Sequence, residues 1–201
     1  MRSKHNTAEG SAAAPPKPAR ERLLDVASDL FYREGIRAVG VDTVVAEAGV
    51  TKMSLYRSFA SKDELVMAYL ERRDKTYWAW WDDVVRRCPE PREQLLTLVR
   101  EIGERVSRRG YRGCPFTNAA IEFPDPGHPG RKVAEANKRE LRRRLVALSQ
   151  DLGAKDPEGL GEQLVLLIEG AYSSSQTFGP GGPTRQLSAA AAALADAQQA
   201  G

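Results

Sequence analysis

Residues 41–62 read VDTVVAEAGVTKMSLYRSFASK, and their pattern indicates how the first part of the chain folds. Apolar residues recur at helical spacing on both sides of the turn Gly49-Val50-Thr51, so two short helices are predicted there. Gly49 allows the positive φ of such a turn, and Leu55 is placed to pack the second helix against the first. The stretch therefore predicts a helix-turn-helix.

Helices are also predicted directly before and directly after this motif. Apolar residues from Leu23 to Phe31 share one stripe at helical spacing. Ser61 and Glu64 have the spacing of a capping box, which predicts the start of a long helix that continues to about Val85. The motif is thus expected to supply the second and third helices of a three-helix unit, followed by a longer linking helix.

The rest of the sequence shows apolar stripes at helical spacing, separated by proline and glycine, without the alternation typical of β-strands. The predicted fold class is therefore all-α, with about nine helices. The first 18 residues combine Ser, Ala, Pro and charge without periodicity and are expected to form a flexible tail. Later helices are expected at approximately residues 95–109, 114–123, 134–153, 160–178 and 184–197.

Composition and net charge exclude several classes of protein but do not identify the function. The 201 residues include 30 Lys plus Arg and 27 Asp plus Glu, giving a net charge of +3, and 41% of the residues are hydrophobic. These values exclude a collagen-like or wholly disordered protein, and the charge alone is too small to indicate a nucleic-acid partner. Two cysteines exclude a disulfide-dense scaffold. No membrane span or signal peptide is visible, so a cytoplasmic location is expected.

Positive charge is concentrated in one short segment of the motif. From Thr51 to Lys62 the sequence has three basic residues and no acidic residue, so the local net charge is +3. That value equals the excess of the whole chain. Basic side chains beside a helix amino terminus favour contact with phosphate.

The sequence GVTKMSLYRSF at residues 49–59, followed by SKDEL at 61–65, resembles the DNA-binding signature of the TetR family of bacterial repressors. The specific match covers approximately residues 20–70. Two positions depart from the family pattern, because Val45 stands where Ala is usual and Gly40 replaces the usual Ser or Thr cap.

By this resemblance, the DNA-binding residues fall into two groups. Those that resemble the family's phosphate contacts are Thr51, Tyr56 and Lys62. Those that would face the major groove are Lys52, Met53, Ser54 and Arg57. In the groove, Arg57 can pair with guanine and Met53 can contact a thymine methyl group.

The resemblance also implies a function and a division of the chain. It implies a homodimeric, ligand-responsive repressor that binds an inverted-repeat operator on double-stranded DNA and is released by a small apolar or aromatic effector. The implied parts are the tail (1–18), a helix-turn-helix DNA-binding domain (19–67) and a ligand-binding and dimerisation domain (68–201). The last two helices would form the dimer interface, which would present two recognition helices to one pseudopalindrome. No cofactor is expected.

Two groups of residues are candidates for the lining of a ligand pocket. In the linking helix these are Trp78 and Trp81, for which packing in the core is the favoured alternative. The second group lies in a segment broken by glycine and proline, which suits a cavity wall. Its members are Phe116, Asn118, Glu122, Phe123 and His128.

Three further patterns favour ordinary roles over binding. Glu122, Asp125 and His128 do not have a recognised metal-ligand spacing, so no metal site is expected. The two cysteines have no neighbours in sequence that indicate a redox pair. The basic run at residues 142–144 indicates a solvated helix face rather than a second nucleic-acid patch.

Two alternative functions come from other classes. A helical small-molecule enzyme is disfavoured, because the sequence lacks the common nucleophile and nucleotide-binding motifs and has only two histidines. A DNA-binding regulator without an effector fits the same motif. The sequence leaves this second alternative open, together with the choice between repression and activation.

Overall fold

The structure is a computed structural model that describes residues 17–199. Within that range it contains nine α-helices, one short 3-10 helix and no β-strand, so the predicted all-α class is confirmed. The predicted tail at residues 1–18 lies outside the described residues, apart from its last two positions. The helices are α1 (Ala19–Glu34), α2 (Val41–Ala48), α3 (Lys52–Ser58), α4 (Lys62–Arg87), α5 (Pro91–Val106), α6 (Pro115–Glu122), α7 (Pro129–Asp151), α8 (Pro157–Phe178), the 3-10 helix (Pro183–Gln186) and α9 (Leu187–Gln199).

Helices α1, α2 and α3 form a three-helix unit around an apolar core. Leu23, Leu30, Val44 and Leu55 are each at most 1% exposed, and burying such side chains is the main stabilising contribution in a unit of this size. Gly49 ends α2 in the left-handed conformation, with φ of 61° and ψ of 42°, which is strained for residues with a side chain. The predicted helix-turn-helix is therefore confirmed.

Helix α4 is the longest helix and passes from the three-helix unit into the rest of the chain. At its start, Ser61 Oγ accepts a hydrogen bond from the Glu64 N–H at 3.1 Å. The Glu64 carboxylate accepts one from the Ala60 N–H at 2.7 Å, one residue earlier than a standard capping box places it. Tyr69 then packs edge-on against Phe31 of α1, with ring centroids 5.8 Å apart. The boundary expected at residue 67 falls inside this continuous helix.

Helices α5 to α9 form the larger helical unit, in which α7 and α8 approach each other closely. A Cβ added at Gly161 of α8 would lie 2.6 Å from Val146 Cγ2 of α7, so glycine permits this approach. Helix α9 packs on α5 and α8 through the buried Leu187 and Ala191. This last helix begins three residues later than predicted, because residues 183–186 first make a 3-10 turn.

Candidate DNA interface and ligand cavity

Helix α3 presents the outward face that is predicted to contact DNA. Thr51 caps the helix, since its Oγ1 accepts a hydrogen bond from the Ser54 N–H at 3.2 Å. Leu55 is buried beneath the helix, whereas Met53 and Tyr56 are 72% and 49% exposed. Six of the seven predicted DNA-binding residues are thus brought together on α3 or its cap, and Lys62 is the first residue of α4. Their contacts with DNA stay a prediction.

The positive charge on this face is lower than the +3 counted for residues 51–62, because an acid of the neighbouring helix α2 lies beside Lys52. Lys52 Nζ lies 2.8 Å from a carboxylate oxygen of Asp42 on α2, and the hydrogen bond between them raises the pKa of Lys52. Both side chains are exposed, so this ion pair is weak and can exchange for a phosphate or a base. Arg57 is exposed and has no acidic partner among the described residues. It is therefore the more available of the two cations on α3.

Lys62 has a different environment from the cations on α3. Its ammonium lies 5.9 Å from the centroid of the Phe31 ring. Burial lowers the pKa of Lys62, while the carboxylates of Glu122 and Asp63 act in the opposite direction. Lys62 therefore lies near both the three-helix unit and the end of α6, and it remains partly exposed.

Glu122 joins the end of α6 to the loop between α1 and α2. Its two carboxylate oxygens accept hydrogen bonds from the backbone N–H groups of Ile36 (3.1 Å) and Arg37 (2.7 Å). Charge-assisted bonds of this kind are about twice as strong as neutral ones. Glu122 was a candidate for the pocket lining, and the structure places it at the contact between the two helical units instead.

His128 and Phe123 lie at the same junction. Their rings stack with centroids 3.7 Å apart, and His128 Nδ1 accepts a hydrogen bond from the Gly130 N–H at the start of α7. His128 Nε2 lies 3.5 Å from a carboxylate oxygen of Asp63 on α4. Asn118, on the preceding turns of α6, donates to the Arg112 carbonyl at 2.8 Å. These three candidates therefore make contacts within and next to α6 and do not line the cavity described below.

A cavity of about 460 Å³ lies between α4, α5, α6, α7 and α8, and it falls within the range of small-molecule pockets, roughly 300–1,000 Å³. Of the seven predicted pocket residues, Phe116 alone lines this cavity. Its aromatic walls are contributed by Tyr32, Tyr77, Trp80, Tyr111, Phe116 and Tyr172, and its other lining residues are Arg73, Thr76, Arg105, Arg108, Arg109, Gly110, Gly113, Cys114, Pro115, Asn137, Lys138 and Leu141.

The tryptophans of α4 divide between core and cavity. Trp81 is 3% exposed and packs in the core, and Trp78 donates its Nε1–H to Asp74 at 2.8 Å beneath the guanidinium of Arg144. These two residues follow the core alternative. Trp80 lines the cavity with Tyr77. Arg73, Thr76, Tyr77 and Trp80 recur at i, i+3, i+4 and i+7, so they share one face of α4, but this spacing alone does not mark the face as a cavity wall.

One cavity residue belongs to the amino-terminal three-helix unit. Tyr32 of α1 lines the cavity, and its hydroxyl accepts a hydrogen bond from the Arg112 N–H at 3.0 Å. The same hydroxyl donates to the Gly113 carbonyl at 3.2 Å. The α1 helix is therefore bonded directly to the segment that leads into α6.

Several polar groups of the cavity are bonded to one another. The hydroxyls of Tyr77 and Tyr172 are 3.3 Å apart, and burial raises the pKa of both phenols, so both are neutral near pH 7. Lys138 Nζ lies 2.6 Å from Glu169 and 3.2 Å from Cys114 Sγ. Burial opposes the charge on Lys138, but its acidic and thiol neighbours raise its pKa overall, so Lys138 remains protonated.

The acidic, cysteine and basic patterns of the sequence all lie in the described part of the chain. Residues 17–199 contain no group of three or more His, Cys, Asp or Glu that could hold a metal ion. Both cysteines are buried and free. The basic run at residues 142–144 pairs with acids, which are Glu162, Glu140 and Asp82. None of the helices described is long and apolar enough to cross a membrane.

Comparison with known proteins assigns the family. Residues 23–69 match the sequence model of the bacterial regulatory proteins of the tetR family. The transcriptional repressor KstR2 of Mycobacterium tuberculosis is 36% identical over 168 residues, which cover 82% of this chain and 83% of that protein. The chain belongs to the TetR family.

Further TetR-family relatives agree with this assignment. The crystal structure of SCO4454, a TetR-family transcriptional regulator from Streptomyces coelicolor, superposes with a TM-score of 0.87 at 33% identity, covering 90% of this chain and 96% of that one. The transcriptional regulator YjdC of Escherichia coli is 26% identical over 155 residues, 77% of this chain and 81% of that protein. These relatives are transcription regulators. This TetR-family chain is a DNA-binding transcription regulator.

Proposed function

We propose that this TetR-family regulator is a dimeric repressor that binds an inverted-repeat operator and leaves it when a small organic effector occupies the cavity. The observation that carries the proposal is the double link between the cavity and the three-helix unit. Tyr32 connects α1 to the cavity wall, and Glu122 connects α6 to the loop between α1 and α2.

The proposed DNA contacts follow the family pattern. Thr51, Tyr56 and Lys62 contact phosphates, and Lys52, Met53, Ser54 and Arg57 face the major groove. The exposure of Met53 and Tyr56 supports this assignment, as does the absence of an acidic partner for Arg57 among the described residues. Lys52 exchanges Asp42 for DNA on binding.

An exposed stripe on α8 supports dimerisation. Leu166 and Phe178 are 73% and 63% exposed. Leu166, Gly170, Ser173 and Thr177 are all exposed and lie at i, i+4, i+7 and i+11, so they share one face of the helix. Exposed large apolar side chains beside small residues permit close helix contact. A two-fold dimer through α8 and α9 would present two α3 helices to two half-sites.

The release of DNA is a shift between two populations of conformations. An effector shifts the population only if it binds the conformation with low DNA affinity more tightly than the other. A molecule in the cavity would contact Tyr32 and the first turn of α6, which begins at Pro115. Displacement of either group would alter the bonds that hold α1 and its following loop in place.

The division of labour along the chain is part of the same proposal. Residues 19–67 bind DNA, and residues 68–201 bind the effector and form the dimer. Helix α4 belongs to both parts, since Lys62 lies at its start and Arg73, Tyr77 and Trp80 line the cavity farther along it. Movement at the cavity is therefore transmitted along one helix to the DNA contacts.

Selection of bound DNA from a random pool by the purified full chain tests the proposal. We expect an enriched inverted repeat whose half-site centres are about one helical turn apart, roughly 34 Å, and a complex that contains two chains. Enrichment of an asymmetric site, or a complex with one chain, would contradict the dimeric operator. If compounds that stabilise the chain against heat leave operator affinity unchanged, the regulator without an effector is the better description.

A further inference from the structure

The cavity carries an unbalanced set of charges. Five of its lining side chains are cationic, and none of the described lining residues is acidic. The cations are Arg73, Arg105, Arg108, Arg109 and Lys138. Elsewhere on the described surface, arginines commonly pair with a neighbouring carboxylate. The cavity therefore has an excess of positive charge that its own walls do not neutralise.

The four arginines of the cavity have no carboxylate within 4.0 Å among residues 17–199. Lys138 differs, because Glu169 lies 2.6 Å from it. Arg108 and Arg109 are exposed to water, whereas Arg73 and Arg105 are half-buried. The half-buried pair matters most, since an unpaired cation that is partly removed from water is destabilised unless an anion accompanies it.

Both half-buried arginines lie over aromatic rings. The guanidinium carbon of Arg105 is 4.2 Å from the Trp80 ring centroid, and that of Arg73 is 5.0 Å from the Tyr32 centroid. Stacking uses the face of the guanidinium and leaves the N–H groups in its plane available as donors. The Arg105 side chain makes no hydrogen bond to any residue in the range 17–199, whereas Arg73 Nη2 donates to the Ser28 carbonyl at 3.5 Å and Arg73 Nε is buried without a partner.

Three acids that contact lining residues are already bonded to donors, and Glu169 is the partner of Lys138 at 2.6 Å. Asp74 accepts from Asn137 at 2.9 Å and from Trp78 at 2.8 Å. Glu101 accepts from Trp80 at 2.6 Å. Because these carboxylates are held in place by other groups, they do not supply the missing counter-charge of the arginines.

We infer that the cavity takes an organic carboxylate with an aromatic or other flat apolar body, whose carboxylate pairs with the unpartnered arginines, Arg105 among them. The planar fork of an arginine matches a carboxylate in two parallel hydrogen bonds. The rings of Tyr77, Phe116 and Tyr172 supply walls for the apolar body. This inference rests on the proposed function, in which the cavity is the effector site, and it narrows the expected small apolar or aromatic effector to one that carries a carboxylate.

Matched acids and amides test the charge of the ligand directly. Calorimetric titration of the full chain at neutral pH would compare 2-naphthoate with 2-naphthamide and 4-biphenylcarboxylate with its amide. Each pair has the same apolar body and differs in charge. We expect each acid to bind at least about tenfold more tightly than its amide, which is the usual strength of one charge-assisted hydrogen bond. This comparison needs no substituted protein.

Substitution of Arg105 locates the carboxylate. Arg105→Gln is expected to weaken acid binding about tenfold and to leave amide binding within about twofold. Arg105→Lys, which keeps the charge and loses the fork, should be intermediate. Arg100→Gln is the matched control on α5, because Arg100 is exposed, pairs with Glu104 at 2.7 Å and does not line the cavity.

The outcomes separate this inference from the proposed function. Amides that bind as well as the acids, or no binding by either series, would overturn the inference. An equal loss of acid binding in Arg100→Gln and Arg105→Gln would overturn the assignment to Arg105. Amides that bind and release the selected operator would overturn the carboxylate and leave the proposed function standing. Acids that bind with the expected preference and do not release the operator would do the reverse.

Discussion

Two regions of this chain concentrate positive charge, and they hold it in different surroundings. On α3 the cations point into water, where Lys52 pairs loosely with Asp42 and Arg57 has no acidic partner among the described residues. In the cavity, Arg73 and Arg105 lie half-buried on the faces of aromatic rings. The first region keeps its cations hydrated, whereas the second removes part of their hydration and provides no carboxylate in exchange.

This difference indicates which kind of anion each region suits. Hydrated cations on a helix surface attract a long polyanion from a distance, and salt screens that attraction within about 10 Å. Half-buried cations attract, over a short distance, an anion that enters the cavity. Salt screens this attraction much less. The same residue types thus suit DNA in one region and a small carboxylate in the other.

The largest expected effect that tests this comparison is the response to salt. With three cations per subunit at the DNA surface, which are Lys52, Arg57 and Lys62, operator affinity should fall about a thousandfold between about 50 and 200 mM salt. Over the same range, 2-naphthoate binding should change less than about threefold. Lys62→Ala should reduce the slope of the logarithm of operator affinity against that of salt by about one unit for each subunit. An equally steep salt dependence for 2-naphthoate would mean that the cavity arginines are hydrated like the two cations of α3.

The next effect concerns base recognition by α3. Arg57→Ala should lower affinity for the selected operator by about ten- to a hundredfold and relax selectivity at one position of each half-site, because a bidentate contact with guanine is lost. Repeated selection with the variant measures this change. Arg33→Ala is the control, since Arg33 is equally basic and exposed but pairs with Asp29 and Glu34 at the far end of α1. An unchanged selected motif would show that Arg57 does not contact a base.

A smaller effect is expected at the connection between the two regions. Glu122→Gln keeps the size of the side chain, but its single amide oxygen can accept from only one of the Ile36 and Arg37 N–H groups. One bond is lost and the other loses its charge assistance, at a cost of about 1 kcal/mol each. We expect operator affinity to fall about tenfold while 2-naphthoate affinity stays within about twofold. Asp125→Asn is the matched control, because Asp125 bonds to Gly127 within its own turn. If the two variants bind the operator equally well, Glu122 does not position the DNA-binding unit.

The DNA-binding motif was predictable because its determinants lie close together in the sequence. Gly49 forms the turn after α2, Thr51 caps α3, and Leu55 marks the face of α3 that is buried. These three residues lie within seven positions of the sequence. Each of these roles depends on local backbone geometry, which a single sequence expresses directly. The ion pair between Lys52 and Asp42 was not foreseen, since it depends on how α2 and α3 cross.

The cavity was harder to predict because its residues come from several helices. Aromatic residues at 77, 78, 80 and 81 cover two faces of α4, and periodicity does not say which face meets a cavity. In the structure, Tyr77 and Trp80 line the cavity and Trp81 packs in the core. The role of Glu122 depends on a loop 86 residues away in the sequence, for which no local signal exists.

The smallest effect concerns a third basic group, in which the arginines do have an acid. Hydrogen bonds from Arg143 and Arg144 outweigh burial and lower the pKa of Glu140 to about 2. A lowered pKa stabilises the fold above the ordinary value of 4.5, and this contribution is lost as the pH falls from 4.5 through 2. Because the group is partly exposed to solvent, we expect the lowered pKa to contribute about 1 kcal/mol to the free energy of unfolding.

Urea unfolding at pH 5 and at pH 3 should therefore show a larger loss of unfolding free energy for the parent chain than for Glu140→Gln. Glu104→Gln, which removes a single exposed ion pair with Arg100, should behave like the parent chain. Identical acid sensitivity in Glu140→Gln and the parent would mean that the ion pairs of Glu140 are as weak as ordinary surface contacts. The contrast with the cavity arginines would then not depend on whether an arginine has a carboxylate partner.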